Sequence, residues 1–163
     1  MCVVLQNFFS DTKATATFQN LPGVILVTMD VESYLRVEGD VMRVTGYTSE
    51  EFVMLNPVRD FLSPKADRQK YASLLASISN PDQSLLELDI PYVHKNGHTI
   101  WLRACHGSRV IGIAQNGKAE ILVLFKDVTT QHEVSSLAVD RSAMYLEVSQ
   151  SFPLIFSQKI VHT

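Results

Sequence analysis

The chain is poor in the features that announce most function classes. Only two of its 163 residues are cysteine, Cys2 and Cys105. They offer no disulfide framework, and a reducing compartment is the default. No apolar run approaches the ~20 residues of a membrane-spanning helix. The opening MCVVLQNFF lacks the basic start and the length of an export signal. The net charge is −3 and the 14 Lys and Arg are scattered, so nothing resembles a nucleic-acid footprint. Glycine-rich phosphate loops, internal repeats and low-complexity tracts are absent. What remains is a cytoplasmic globular domain without nucleic-acid or membrane partners, 46% apolar and 19% charged, of a length that suits one modest core with some extra helix.

What is present centres on YVHKNGHTIWL, residues 92–102. Asn96-Gly97 has the chemistry of a two-residue hairpin turn with positive φ at both positions. That register puts Lys95 opposite His98 and His94 opposite Thr99, so the two imidazoles approach only diagonally. A closed zinc site needs four ligands, and no Cys or carboxylate stands at metal spacing here. No metal is expected, and the histidines read as solvated residues at a hairpin tip. A second Asn-Gly pair, Asn116-Gly117, follows. Before the first turn, Leu86, Leu88, Ile90 and Tyr92 alternate with other side chains. Between the turns runs HTIWLRACHGSRVIGIA, and after the second EILVLFKDV. Three strands joined by two such turns make an antiparallel meander.

Upstream, residues 1–20 read as a helical extension, with apolar stripes at Leu5, Phe8 and Phe9 and at Ala14, Phe18 and Leu21. Pro22 ends it. VILVTMD and YLRVEG read as strands. Thr48 and Glu51 have capping-box spacing, and NPVRDFLSP is a connector. Ser63 and Pro64 read as N-cap and first residue of a helix. Its buried face would be Tyr71, Leu74, Leu75 and Ile78. After the last strand, Val134, Leu137, Met144 and Val148 fit heptad positions, with Arg141 interrupting. The fold class is α+β, with a single antiparallel sheet and helices over one face. The strand ILVLF is apolar throughout and needs cover on both faces.

Four stretches, in order, resemble a PAS domain: LPGVILVTMD, TGYTSEEF, HKNGHTIWL and FKDVTTQHE. The resemblance covers roughly residues 18–133 and implies a PAS domain at 21–130 with an output-type helix and tail at 131–163. It implies five strands in the order 2-1-5-4-3, which places Pro91 on an edge strand, where a residue without N–H belongs. The chain departs from the family in VEGDVM and in SPKADR, where Ser63 replaces a histidine. The family's flavin-attaching cysteine motif is missing from residues 48–80. ADRQKYASLLASIS has no histidine to hold haem. Neither covalent flavin nor haem is expected, and no cofactor is predicted.

Met42, Met54, Phe61, Tyr71, Leu75, Ile90, Tyr92 and Cys105 are candidates for lining a ligand pocket; the plainer reading is that they fill the core. Cys105 and His106 are adjacent in a strand and point to opposite faces, so they cannot form a nucleophile–base pair directly. In the family, the positions of Asp127 and Thr129 join the sheet to the output helix. Phe8, Phe9, Leu137 and Met144 are candidates for a homodimer interface. The expected function is a non-enzymatic sensor or dimerisation module that takes a small apolar metabolite and signals to a separate output protein. The alternatives are a small enzyme on a cone-shaped α+β fold, using His94, His98, Cys105 or His106, and a ligand-free scaffold.

Overall fold

The computed structural model describes residues 21–151 apart from 81 and 83, with side-chain environments as far as Met144. The stripes expected in residues 1–20, Phe8 and Phe9 included, lie outside the described residues, as does the tail. The chain divides into a sheet unit ending at Val128 and a unit beginning at Thr129.

The strands are β1 (Val24–Met29), β2 (Tyr34–Gly39), β3 (Asp89–Val93), β4 (Thr99–Ala104), β5 (Arg109–Ile113) and β6 (Ala119–Asp127). They pair antiparallel in the order β2-β1-β6-β4-β3, with β5 also on β6. This is the expected order with one difference: the fourth strand is broken in two. From Ala104 to Arg109 the chain takes five steps, while β6 takes three, from Phe125 to Leu122. The surplus is absorbed in a turn at residues 105–108, where Gly107 has φ +107°, a conformation open to glycine. β3 begins at Asp89, later than the alternation suggests, and Leu86 is 41% exposed.

Alternation sends Ile25, Val27 and Met29 of β1 and Ile100, Leu102 and Ala104 of β4 to one face. There they join Ile121, Val123 and Phe125 of β6 in a single core with the helices. Each large side chain fully buried this way contributes about 1.5–3 kcal/mol. β6 is buried on its other face too, where Leu124 packs with Cys105, Val24 and Leu26.

The helical layer starts with α1 (Val41–Thr45) and α2 (Ser49–Val53). α2 opens on the expected capping box: Thr48 Oγ1 accepts from the Glu51 N–H at 3.2 Å, and Glu51 Oε2 from the Thr48 N–H at 3.0 Å. The connector contains one wide π-helical turn, Pro57–Phe61, capped by Asn56. The longer helix α3 (Arg68–Ser79) is capped by Asp67, whose Oδ1 accepts from the Gln69 and Lys70 N–H groups, and not by Ser63. A carboxylate at N-cap also faces the positive end of the helix dipole. Ser63 instead closes a turn, and its N–H donates to the Pro91 carbonyl at 3.0 Å. Pro91 does lie on an edge strand, and that carbonyl is the one backbone polar group a proline offers.

Both Asn-Gly turns differ from the two-residue form. His94 N–H donates to His98 O at 2.9 Å, and Gly97 N–H to His94 O at 2.8 Å. Ala114 and Lys118 close the second turn the same way, at 2.8 Å, with Gly117 N–H on Ala114 O at 2.9 Å. Only the glycines have positive φ, +90° and +78°. These are three-residue loops in which asparagine stays right-handed and glycine alone turns left. The register therefore moves by one: His94 faces His98, and their rings stack 4.2 Å apart at 20°. In the second unit, α4 (Thr129–Ser151) exposes Val134, Leu137, Val139 and Met144.

Candidate functional site

Between the inner face of the sheet and the helices runs a chain of aromatic rings. Tyr34, at the start of β2, stacks on Phe52 of α2 with centroids 4.6 Å apart. Phe52 meets the edge of Phe61 at 5.0 Å, and Phe61 stacks on Tyr92 of β3 at 4.7 Å. Tyr92 meets Phe125 of β6 edge-on at 5.7 Å. Ring pairs of this kind add about 0.5–1.5 kcal/mol beyond their buried area.

Tyr92 is 1% exposed, and its buried hydroxyl has no hydrogen-bond partner among the described residues. Buried polar atoms almost always have one, and leaving one unmade costs about 1–3 kcal/mol. Burial, and Tyr71 nearby, push the Tyr92 phenol well above its usual range; burial alone pushes Tyr71 up to about 12. Both phenols stay protonated near neutral pH. The interior here is thus apolar and uncharged, with one hydroxyl left unpartnered among the described residues.

Phe61, Tyr71, Ile90 and Tyr92 come together in this core, with Leu75 partly buried against it. Met42 and Met54 do not: they are 55% and 82% exposed. A five-residue helix has one inward stripe, which Val41, Val44 and Thr45 take in α1 and Phe52 in α2. Cys105 lies on the opposite sheet face with Leu124, because β4 turns Ile100, Leu102 and Ala104 inward. Tyr34, Phe52 and Phe125 complete the aromatic cluster. None of the three was singled out by the sequence: the strand ILVLF is apolar throughout, and single aromatic residues in α2 and at the start of β2 fix no face.

His94 and His98 share a hairpin tip, while His106 pairs with Glu87 at 3.1 Å. Among the described residues, no group of three or more His, Cys, Asp and Glu could hold a metal ion, and no helix is long and apolar enough to cross a membrane. Asp127 ends β6, its N–H donating to Gly23 O at 2.7 Å. The Val128 N–H donates to Trp101 O at 2.9 Å, and Thr129 opens α4.

An open antiparallel sheet with short helices over one face and an aromatic interior defines an α+β fold. A family model for the PAS fold matches residues 34–123. The chain belongs to the PAS family. It is 22% identical over 142 residues to the sensor histidine kinase TmoS of Ectopseudomonas mendocina, a match that covers 87% of this chain. The chain spans only 14% of that relative's length. Among solved structures it resembles the PAS domain of a Colwellia psychrerythraea protein, with a TM-score of 0.56 at 20% identity over 72% of this chain and 96% of that one. It also resembles the blue-light activated histidine kinase EL346 of Erythrobacter litoralis, with a TM-score of 0.51 at 18% identity over 71% of this chain and 36% of that one.

Proposed function

We propose that this chain is a non-enzymatic sensory module of a cytoplasmic signalling system, and that its aromatic chamber takes a small, mainly apolar molecule with one polar atom set against the Tyr92 hydroxyl. The unpartnered hydroxyl carries this reading, because a guest that accepts a hydrogen bond from it removes the penalty of an unmade one. Asp127 and Thr129, at the junction of sheet and helix, pass the change to α4. Exposed Leu137 and Met144 on α4 meet the same helix of a second copy, since apolar side chains in such a row favour an interface. The output lies in a separate protein or another part of the system, as a histidine kinase among the relatives suggests. The only described cysteine, Cys105, is on the far sheet face, which supports a ligand held without covalent attachment.

Native mass spectrometry of wild type and Tyr92→Phe, both purified from cells, tests the ligand. A bound mass in wild type that is lost in Tyr92→Phe supports it. Absence of bound mass, with Tyr92→Phe more stable than wild type by about 1 kcal/mol, points to a ligand-free scaffold. Sedimentation over a range of concentrations tests the dimer. Leu137→Glu with Met144→Glu should weaken it, and a wild type that stays monomeric throughout overturns it.

A further inference from the structure

We propose that the β3–β4 hairpin tip is a pH-sensitive latch: with the His94 imidazole neutral it holds the α1–α2 segment against the sheet, and protonation of that ring releases it. This goes beyond the sensory reading and does not rest on it.

Three contacts fasten the tip. The Lys95 N–H donates to the carbonyl of Thr45, the last residue of α1, at 2.9 Å. Lys95 Nζ lies 2.8 Å from both carboxylate oxygens of Glu51 on α2. The His94 ring fits against Gly46, where a Cβ would stand 2.5 Å from Cε1 and 2.9 Å from Nε2. Glycine at φ +79° is thus what lets the imidazole approach the α1 terminus.

The ring is committed on its other sides as well. One face stacks on His98. Nδ1 accepts the Asn96 N–H at 3.1 Å, which requires its lone pair and leaves the proton of the neutral ring on Nε2. A second proton must go to Nδ1. It would end that hydrogen bond and set a cation beside His98 and Lys95. The other charged or titratable groups nearby are already engaged: Glu51 is paired with Lys95, Arg43 of α1 lies 2.9 Å from Asp40, and Tyr47 has the Lys95 ammonium 5.6 Å from its ring centre.

The electrostatics agree with the geometry. Burial, and then His98, hold the His94 imidazole below its ordinary 6.5. A histidine whose folded value is depressed takes up its proton more readily once released. The latch is therefore fully closed above the ordinary value, weakens as pH falls below it, and is lost below the folded value. Phe52 on α2 is part of the aromatic chamber, so mild acid would loosen one wall of that chamber.

Amide hydrogen exchange by NMR on the full chain is the test. Between about pH 7.5 and about pH 5.5, protection at the Lys95 and Asn96 amides should fall about tenfold in wild type, after correction for intrinsic rates. It should stay level in His94→Asn, which keeps an acceptor where Nδ1 stood but cannot be protonated. Amides around His106 control for general acid effects. Equal loss in both proteins, or a His94 titration midpoint at or above 6.5, overturns the latch. If His94→Asn does not fold, His98→Asn decides: removing the neighbouring imidazole should raise the His94 midpoint, and an unchanged midpoint overturns the proposal.

Discussion

The two Asn-Gly hairpins are locally the same object and are seated in different ways. Each is a three-residue loop with one left-handed glycine. The first tip rests on a helix end, through a backbone bond to Thr45 and a ring packed on Gly46. The second rests on the β1–β2 turn, where Asn116 Nδ2 donates to the carboxylate of buried Asp30 and Lys118 pairs with Glu32. Asp30 Oδ1 also accepts from the Ser33 hydroxyl and from the Glu32 and Ser33 N–H groups. One seat depends on shape and on a neutral His94 imidazole, the other on an ionised carboxylate. Equal turn chemistry therefore does not imply equal sensitivity to substitution or to pH.

Substituting the glycines should break the comparison most sharply. Gly46→Ala drives a Cβ into the His94 ring and strains a left-handed backbone, for a loss of about 2–5 kcal/mol. Gly97→Ala and Gly117→Ala have the same strain but nothing within 4 Å of the new Cβ, so each should lose only about 1–2 kcal/mol. Urea denaturation of the three variants gives the ranking. Similar losses in all three would mean that the ring does not need its slot on Gly46.

Next in size is Asn116→Ala, which takes a donor from Asp30 and should lose about 1–3 kcal/mol. Its dependence on pH sharpens the contrast. Burial tends to raise the Asp30 carboxyl, but hydrogen bonds from Ser33, Asn116 and the Glu32 N–H together bring it below the usual 3.8. A depressed carboxylate stabilises the fold fully above its ordinary value, and that stability goes as pH falls through the folded one. The second seat should therefore hold through mild acid and fail only below about pH 4, whereas the first should weaken from about pH 6.5 downward. Thermal melts of Asn116→Ala and wild type across that range should converge only at the acid end.

Much of this was legible in the sequence, and the misses share a cause. Sheet order, the capping box at Thr48 and Glu51, the inward row of α3 and the burial of β6 on both faces follow from spacing and from the resemblance. The turn at Asn96-Gly97 was read one residue short, because Asn-Gly suits both a two-residue loop and a three-residue loop, and only the closing bonds tell them apart. That single residue decides whether His94 meets Thr99 or His98. The break between β4 and β5 escaped because Cys105 to Ser108 lies within a run of strand-forming residues. Met42 and Met54 were misplaced because helices of five residues are too short for periodicity to fix a face. The Tyr92 hydroxyl could not be foreseen as unpartnered, since partners come from elements distant in sequence.

The smallest expected effect concerns the two ion pairs that also reach from the tips, Lys95 to Glu51 and Lys118 to Glu32. All four side chains are more than two-fifths exposed, so water and salt screen the pairs, and holding a lysine in one geometry loses side-chain entropy. The Glu51 carboxyl does lie below its usual value, mainly through the Lys95 hydrogen bond and then the Thr48 backbone. Its contribution is full above the ordinary 4.5 and is lost as pH falls through the folded value, well under the range in which imidazoles titrate. Glu51 also keeps its bond to the Thr48 N–H when the lysine is gone. Lys95→Gln and Lys118→Gln should thus leave the urea midpoint unchanged within error, at low salt and at high. If Lys95→Gln alone lowers the midpoint as far as Gly46→Ala, charge and not shape seats the first tip. Its acid sensitivity would then follow Glu51 into the carboxylate range, and the two hairpins would fail in the same pH window.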